Sequence, residues 1–170
     1  MIATSHVIIG GAAGIAAGTI TKNPAIALAV GIVSHFLCDM IPHLDAPLKI
    51  EYENGEYDRP VWTKKFISFA VSDSLFAFLL GLLLWYKYFG LNLNSVFAWA
   101  AVGAYLPDFV DNVPLWSKKI RTLPGFKQFH EIHLAAHNIW RFKFPMPEYW
   151  FLGTATQIIF IIPCLWLIIK

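Results

Sequence analysis

Histidines and aspartates recur along this chain at spacings that suit a metal site. His35 and Asp39 are four residues apart, so on a helix their side chains face the same way. His130, His133 and His137 follow an i, i+3, i+7 spacing and would form one stripe along a helix. Imidazole nitrogens and carboxylate oxygens are the donors that zinc-type centres use. The two patterns together predict a metal centre.

Acidic residues inside apolar runs strengthen this prediction. Asp39, Asp73 and Asp108 each interrupt an apolar stretch. An ionisable side chain at membrane depth is costly and is by default a functional-site hypothesis. Asp111 and Glu131 are the candidates for a general base, or for a residue that orients a ligand. The predicted metal ligands are His6, His35, Asp39, Asp73, Asp108, His133 and His137.

Each candidate also has a simpler explanation when it is taken alone. His6 could be a helix cap or a surface residue, and His35 with Asp39 could be a buried hydrogen-bonded pair. Asp73 could pair with a lysine or an amide as a packing device. Asp45 and Asp111 lie near a predicted interface, where a carboxylate can simply be solvated. Taken together, these groups are predicted to lie near the same side of a membrane, as the topology predicted below indicates, and this convergence favours the metal centre.

The composition predicts a membrane protein. The chain has 170 residues, of which 57% are hydrophobic and 14% charged, and it is therefore far more apolar than an average soluble domain. A length of 170 residues predicts a single membrane-embedded domain over 1–170. The net charge of +2 is too small to indicate nucleic-acid binding. The two cysteines, Cys38 and Cys164, lie in apolar runs and do not indicate a disulfide framework.

Five apolar segments approach the roughly 20 residues needed to cross a bilayer. They predict transmembrane helices at about 2–20, 24–41, 66–89, 95–110 and 149–169, with loops at 42–65 and 111–148. Gly10, Gly14 and Gly18 in the first segment predict close packing against another helix. The apolar and basic residues around the histidine stripe predict a helix in the membrane interface. The predicted fold is an all-α integral membrane protein with about five transmembrane helices and one interfacial helix.

The basic residues predict the orientation. Ten lysines and arginines lie in the loops 42–65 and 111–148, and three lie elsewhere. By the positive-inside rule, these loops and the N-terminus are cytoplasmic and the C-terminus is external, in a multi-pass protein of the cell inner membrane. The predicted ligands then converge on the cytoplasmic side, at the level of the lipid headgroups.

The motifs resemble those of a known family. Ser34-His35 through Asp39 to Pro42-His43, with the later Leu106-Pro107-Asp108 and the histidine-rich loop, looks like the membrane-bound metal-dependent hydrolases of bacteria and archaea. The HxxxD spacing is also similar to that of the zinc-dependent phospholipase C and P1-nuclease group, whose trinuclear zinc sites hydrolyse phosphoesters. Many of those membrane hydrolases carry an Arg-Gly-x-Thr-His-Ser stretch. This chain has His-Glu-Ile-His-Leu-Ala-Ala-His-Asn at residues 130–138 instead.

These observations predict a membrane-bound metal-dependent hydrolase that acts on a phosphoester of a lipid or interfacial substrate. Zinc is the first choice of metal, with manganese or iron as alternatives. A metal-ion or proton-coupled transporter and a non-catalytic, metal-stabilised scaffold are the alternative functions. A transporter needs polar residues that continue to the external side. There we predict few, namely Asn92, Asn94, Thr154, Thr156 and Gln157.

Overall fold

The protein is helical, with one short β-hairpin. The computed structural model describes residues 1–43, 49–53, 56–61, 63–113, 115–141 and 150–170. Asp45 lies outside these residues. The predicted all-α class is confirmed in its main feature, and the hairpin was not predicted. The elements are α1 (Ala3–Ala17), α2 (Pro24–Asp39), β1 (Lys49–Glu53), β2 (Glu56–Val61), α3 (Lys64–Phe89), α4 (Val96–Asn112), α5 (Ser117–Ile120), α6 (Phe126–Arg141) and α7 (Trp150–Ile169).

Local sequence signals set several of these helix ends. Asn23 caps α2 and is followed by Pro24 in the first turn, a position that tolerates the missing N–H of proline. The hydroxyl groups of Thr63 and Ser95 accept from backbone N–H groups at the starts of α3 and α4. Gly90 ends α3 in the left-handed conformation, with φ 59°. In the hairpin, β1 pairs antiparallel with β2.

Two helices within the described residues are long and apolar enough to cross a membrane. They are α3, with 26 residues, and the 19 residues Phe151–Ile169 of α7. Both expose most of their apolar side chains. The predicted count of five spans is not supported, because α1 and α2 have only 15 and 16 residues. At 1.5 Å per residue they fall short of a hydrocarbon core about 30 Å thick.

Small residues bring α1, α2 and α4 into close contact. A Cβ atom at Gly10 would overlap Cβ of Ala104, and one at Gly31 would overlap the carbonyl oxygen of Ala100. Gly103 meets the Leu28 carbonyl of α2 in the same way. The predicted packing role of the first glycine ridge is therefore confirmed. These contacts set the spacing between the helices that carry the candidate site.

The candidate site lies at one end of this helix bundle. The start of α1 meets α3 there, since the Asp73 carboxylate accepts from Ala3 N at 2.6 Å. The end of α2 meets the end of α4, where His35 Nε2 lies 3.9 Å from Asp108 Oδ1. The other half of the bundle is closed by an apolar cluster that contains Ile8, Ala12, Leu84, Phe97 and Ile168.

Candidate metal centre

The Asp39 carboxylate, at the C-terminal end of α2, is the centre of the site. It is 2% exposed, and imidazole Nε2 atoms from three helices and the segment after α2 surround it. Both of its oxygens face these nitrogens. The distances from Nε2 to the nearer Asp39 oxygen are 3.0 Å for His35, 3.2 Å for His6, 3.2 Å for His137, 3.4 Å for His133 and 3.9 Å for His43.

Asp108 of α4 adds a second carboxylate to the cluster. Its Oδ1 lies 3.5 Å from His133 Nε2, and the Nε2 atoms of His133 and His35 are 3.0 Å apart. The side chains of Asp108 and His137 are 20% and 21% exposed, whereas those of His35 and Asp39 are fully buried. The cluster therefore opens to its surroundings at Asp108 and His137.

Hydrogen bonding alone does not satisfy this cluster. Asp39 Oδ1 accepts from the Met1 ammonium group at 2.7 Å, and the Nε2 atoms of five imidazoles also lie within 3.9 Å of the same carboxylate. Within the described part of the chain, Asp39 Oδ2 and both ring nitrogens of His6 make no hydrogen bond of normal geometry. Buried polar atoms without partners are rare in proteins. These buried histidines and aspartates could hold a metal ion.

The outer ring nitrogens of His35 and His43 are fixed by hydrogen bonds to backbone carbonyl groups. Nδ1 of His35 lies 2.7 Å from the Ala104 carbonyl oxygen, and Nδ1 of His43 lies 2.6 Å from that of Ile41. A carbonyl oxygen only accepts, so each Nδ1 carries the hydrogen. In the neutral ring, Nε2 then presents its lone pair to the centre of the cluster. This is the tautomer that binds a metal through Nε2.

Asp111, the predicted base or orienting residue, lies behind His133. Its Oδ2 is 2.9 Å from His133 Nδ1 and 2.8 Å from His130 Nδ1. Arg121 donates through Nε to Asp111 Oδ1 at 2.8 Å and through a terminal nitrogen to the Asp111 carbonyl. Such a carboxylate–histidine pair is typical of the residues that orient metal ligands. The position of Asp111 is that of an orienting residue.

The charges around His133 favour its protonated form when no metal is bound. Burial opposes protonation, but the hydrogen bond to Asp111 and the negative charges of Asp39 and Asp108 outweigh it. Together they raise the pKa of His133 to about 9. Binding of a metal at His133 Nε2 near neutral pH would therefore release a proton.

The structure brings six of the seven predicted ligands together, and Asp73 is the exception. Its carboxylate accepts from Ala3 N at 2.6 Å, Thr4 N at 3.3 Å and Thr4 Oγ1 at 2.6 Å. It thus caps the start of α1 from the neighbouring helix. Among the described residues, Asp73 belongs to none of the sets of donors that could share an ion.

Two other sequence predictions differ from the structure. Glu131 points away from the cluster, with a side chain 60% exposed and 3.9 Å from Lys127 Nζ. Thr156 and Gln157, which we placed on the external side, lie at the site end of α7. There the Thr156 hydroxyl donates to the Pro42 carbonyl, and the Ser5 hydroxyl donates to Gln157 Oε1 at 2.8 Å. That placement is wrong, because Thr156 and Gln157 lie in the first half of α7, which begins at the side of the cluster.

His43 lies in the cluster, but the ligands predicted from the sequence do not include it. It continues the four-residue step from His35 through Asp39, which was the available signal. Pro42 argued against it, since proline disfavours a continued helix. In the structure α2 ends at Asp39, yet His43 Nε2 still reaches to within 3.9 Å of Asp39 Oδ1.

Comparisons with protein-family models, curated proteins and solved structures gave no match to this chain. The resemblance of its motifs to membrane-bound hydrolases therefore remains a prediction. The functional interpretation depends on the geometry of the cluster and on the apolar helices that surround it.

Proposed function

We propose that this protein is a membrane-bound metal-dependent hydrolase, acting on a phosphoester of a lipid or interfacial substrate. One observation carries the proposal: five imidazole Nε2 atoms surround the buried Asp39 carboxylate at 3.0–3.9 Å. Side-chain donors of this type converge from separate helices in metal centres, and hydrogen bonds to Nδ1, as at His35, His43 and His133, typically hold such ligands in place.

Zinc is the metal we propose first, because histidine nitrogens dominate the donor set and carboxylate oxygens complete it. Manganese and iron suit the same donors and are the alternatives. A bound divalent ion would lower the pKa of a water ligand to about 7 and polarise a phosphoryl oxygen. In hydrolysis the water oxygen bonds to phosphorus, the ester P–O bond breaks, and the leaving alcohol takes up the proton.

The residues of the chain would divide the remaining work. Asp108 and His137 line the open side of the cluster, where a substrate can approach. Asp111 holds His133 in place through Nδ1. Since both carboxylate oxygens of Asp111 already have partners, orientation of His133 is the role that we assign to it. Glu131 would reach a substrate only after its exposed side chain changed direction.

We further propose that the helix bundle lies in the cell inner membrane with the site at the cytoplasmic face. The outward apolar side chains of α3 and α7, including Phe78, Leu79, Ile159 and Ile162, support contact with lipid. The helix α6 would lie in the interface, where Ile132 and Ile139 are exposed beside its buried face. This arrangement would put the cluster at headgroup depth, where phosphoesters of lipids are found.

The rival function of metal-ion or proton transport has less support. A conduit needs polar groups that continue through the bundle. In the described residues the next layer beyond the site contains Ile8, Ala12, Leu84 and Phe97, which pack together. A metal-stabilised scaffold would need the same donors, but it would not need the opening at Asp108 and His137.

The proposal is tested with purified protein in detergent micelles, where no ion gradient exists. After chelation and reloading with Zn²⁺, hydrolysis of a micellar phospholipid should be measurable, and Asp39→Asn should abolish it together with metal binding. Lys22→Gln, an exposed change far from the cluster, is the matched control and should leave both unchanged. Full metal occupancy in the wild type without hydrolysis of any phosphoester would contradict the enzymatic proposal.

A further inference from the structure

The donors of the cluster fall into four overlapping sets of three, each with ligand atoms within 4.8 Å of one another. Two of these sets share no residue. We propose that the centre holds two metal ions, one in each of these separate sets; this inference depends on the metal centre proposed above. The first set is His6, His35 and Asp108, and the second is Asp39, His43 and His137.

The number of donors exceeds what one ion can bind. Zinc in proteins takes four ligands at about 2.0–2.2 Å, and even an octahedral ion takes about six. Seven side chains of this cluster offer a ligand atom, counting one oxygen from each aspartate. Among the described donors, no set of three contains both His6 and His43. A single ion would therefore leave some of these imidazoles uncoordinated by metal.

Asp39 is placed to bridge the two ions. Its Oδ2 lies 3.0 Å from His35 Nε2 of the first set and 3.2 Å from His137 Nε2 of the second. Its Oδ1 lies 3.2 Å from His6 Nε2 and 3.9 Å from His43 Nε2. Each oxygen thus faces both sets. In known two-metal sites the ions are about 3.5–4 Å apart, which one shared carboxylate can span.

His133 lies where the two sets meet. Its Nε2 is 3.0 Å from that of His35, 3.4 Å from Asp39 Oδ2 and 3.5 Å from Asp108 Oδ1. It can therefore complete the shell of either ion.

Residues of both donor sets line the opening of the cluster. Asp108 is the most exposed ligand of the first set, and His137 is the most exposed ligand of the second. A phosphoryl group that enters there would meet both ions at once. Two ions can stabilise the attacking and the leaving oxygen of a phosphoester together. The pair of ions thus suits a phosphoester substrate better than a single ion does.

The experiment counts metal ions per chain in the full-length protein in detergent. Metal-stripped protein is titrated with Zn²⁺ alone, and bound zinc is measured by mass spectrometry after gel filtration. We expect about two ions in the wild type and about one in His43→Ala or His6→Ala. About one ion in the wild type, or an unchanged count in His43→Ala, would overturn the two-ion proposal.

A second measurement covers the case that an alanine variant fails to fold. Wild-type protein loaded with Mn²⁺ should give an electron paramagnetic resonance spectrum of two coupled ions, and His43→Gln should give that of an isolated ion. An isolated-ion spectrum in fully loaded wild type overturns the proposal. Two bound ions without hydrolysis would contradict the proposed hydrolase function but support the two-ion centre. One bound ion with hydrolysis would support the hydrolase function but overturn the two-ion centre.

Discussion

The two halves of the candidate site are held in place by different means. The histidine and aspartate of α2 belong to a helix that packs directly on α4 through Gly31 and Gly103. The histidines of α6 belong to an amphipathic helix in which, among the described side chains, only His133 and Ala136 are fully buried. The packing of α2 on α4 therefore positions the first half of the site. The second half is brought to the site by the polar contacts of its own histidines together with the ring contact between Phe36 of α2 and Phe129 of α6.

This difference has a consequence for stability. Burial of apolar and small residues in α2 does not depend on a metal, so His35 and Asp39 should stay in place without one. Little apolar burial holds α6, and Ile132 and Ile139 remain 61% and 49% exposed. Besides the ring contact of Phe129 with Phe36, the carboxylates of Asp39 and Asp111 and any bound metal then attach α6 to the bundle.

The largest expected effect is on stability, from a substitution at Gly31 that disrupts the packing of α2 against α4. In Gly31→Ala the new methyl group would overlap the Ala100 carbonyl, which is backbone and cannot turn away. We expect a loss of about 3 kcal/mol in the free energy of unfolding, at the upper end of overpacking effects. Thermal unfolding in detergent, followed by circular dichroism, measures it.

The matched control for this variant is Gly81→Ala. Among the described residues, a Cβ atom there would meet only the Val7 side chain, at 3.2 Å, and alanine is the better helix former. We expect it to be neutral or slightly stabilising. Equal effects of the two variants would show that the contact between α2 and α4 is not tight.

Removal of the proposed metal should loosen α6 but leave α2 unchanged. After chelation, we expect amide hydrogen exchange to become at least about tenfold faster in residues 126–141, with protection in Pro24–Asp39 retained. The reason is that α6 loses its attachment while α2 keeps its packing. Mass spectrometry of peptic fragments, with and without added Zn²⁺, makes the comparison. Equal loosening of both helices would show that the metal organises the whole site.

A more local effect is expected at the contact that orients His133. Asp111→Asn keeps the shape of the side chain but removes the charge that His133, His130 and Arg121 share. Loss of such a partner usually weakens metal binding about 10–100-fold. Zn²⁺ competition with a fluorescent chelator measures the affinity. The control is Lys127→Gln, whose side chain is 75% exposed, and the same loss there would point to a general charge effect.

The smallest expected effect distinguishes Asp73 from the proposed metal ligands. In Asp73→Asn the cap on α1 is weakened, and we expect a loss of about 1 kcal/mol of stability. The number of bound metal ions should not change, since Asp73 bonds to Ala3 and Thr4. Elemental analysis and a thermal scan of the same sample test both parts. A variant that lost metal would return Asp73 to the ligand set.

The amino-acid sequence by itself determined the types of donor and the faces on which they lie. Helical periodicity requires that His35 and Asp39 share one face and that His133 and His137 share another. In the structure, the side chains of Asn23, Thr63 and Ser95 cap the starts of α2, α3 and α4, and these contacts are local as well. These are local properties, and the chain within a few residues is enough to specify them.

Only the tertiary structure decided which of these faces meet. Asp73 became a cap because Ala3, 70 residues away, lies beside it. His43 joined the cluster, although α2 ends before it, because the chain after α2 stays close to Asp39. Whether α1, α2 and α4 approach closely depends on contacts such as Gly10 with Ala104, which join residues far apart in sequence. Periodicity fixes the direction of a side chain on its own helix, whereas packing between distant segments determines what that side chain meets.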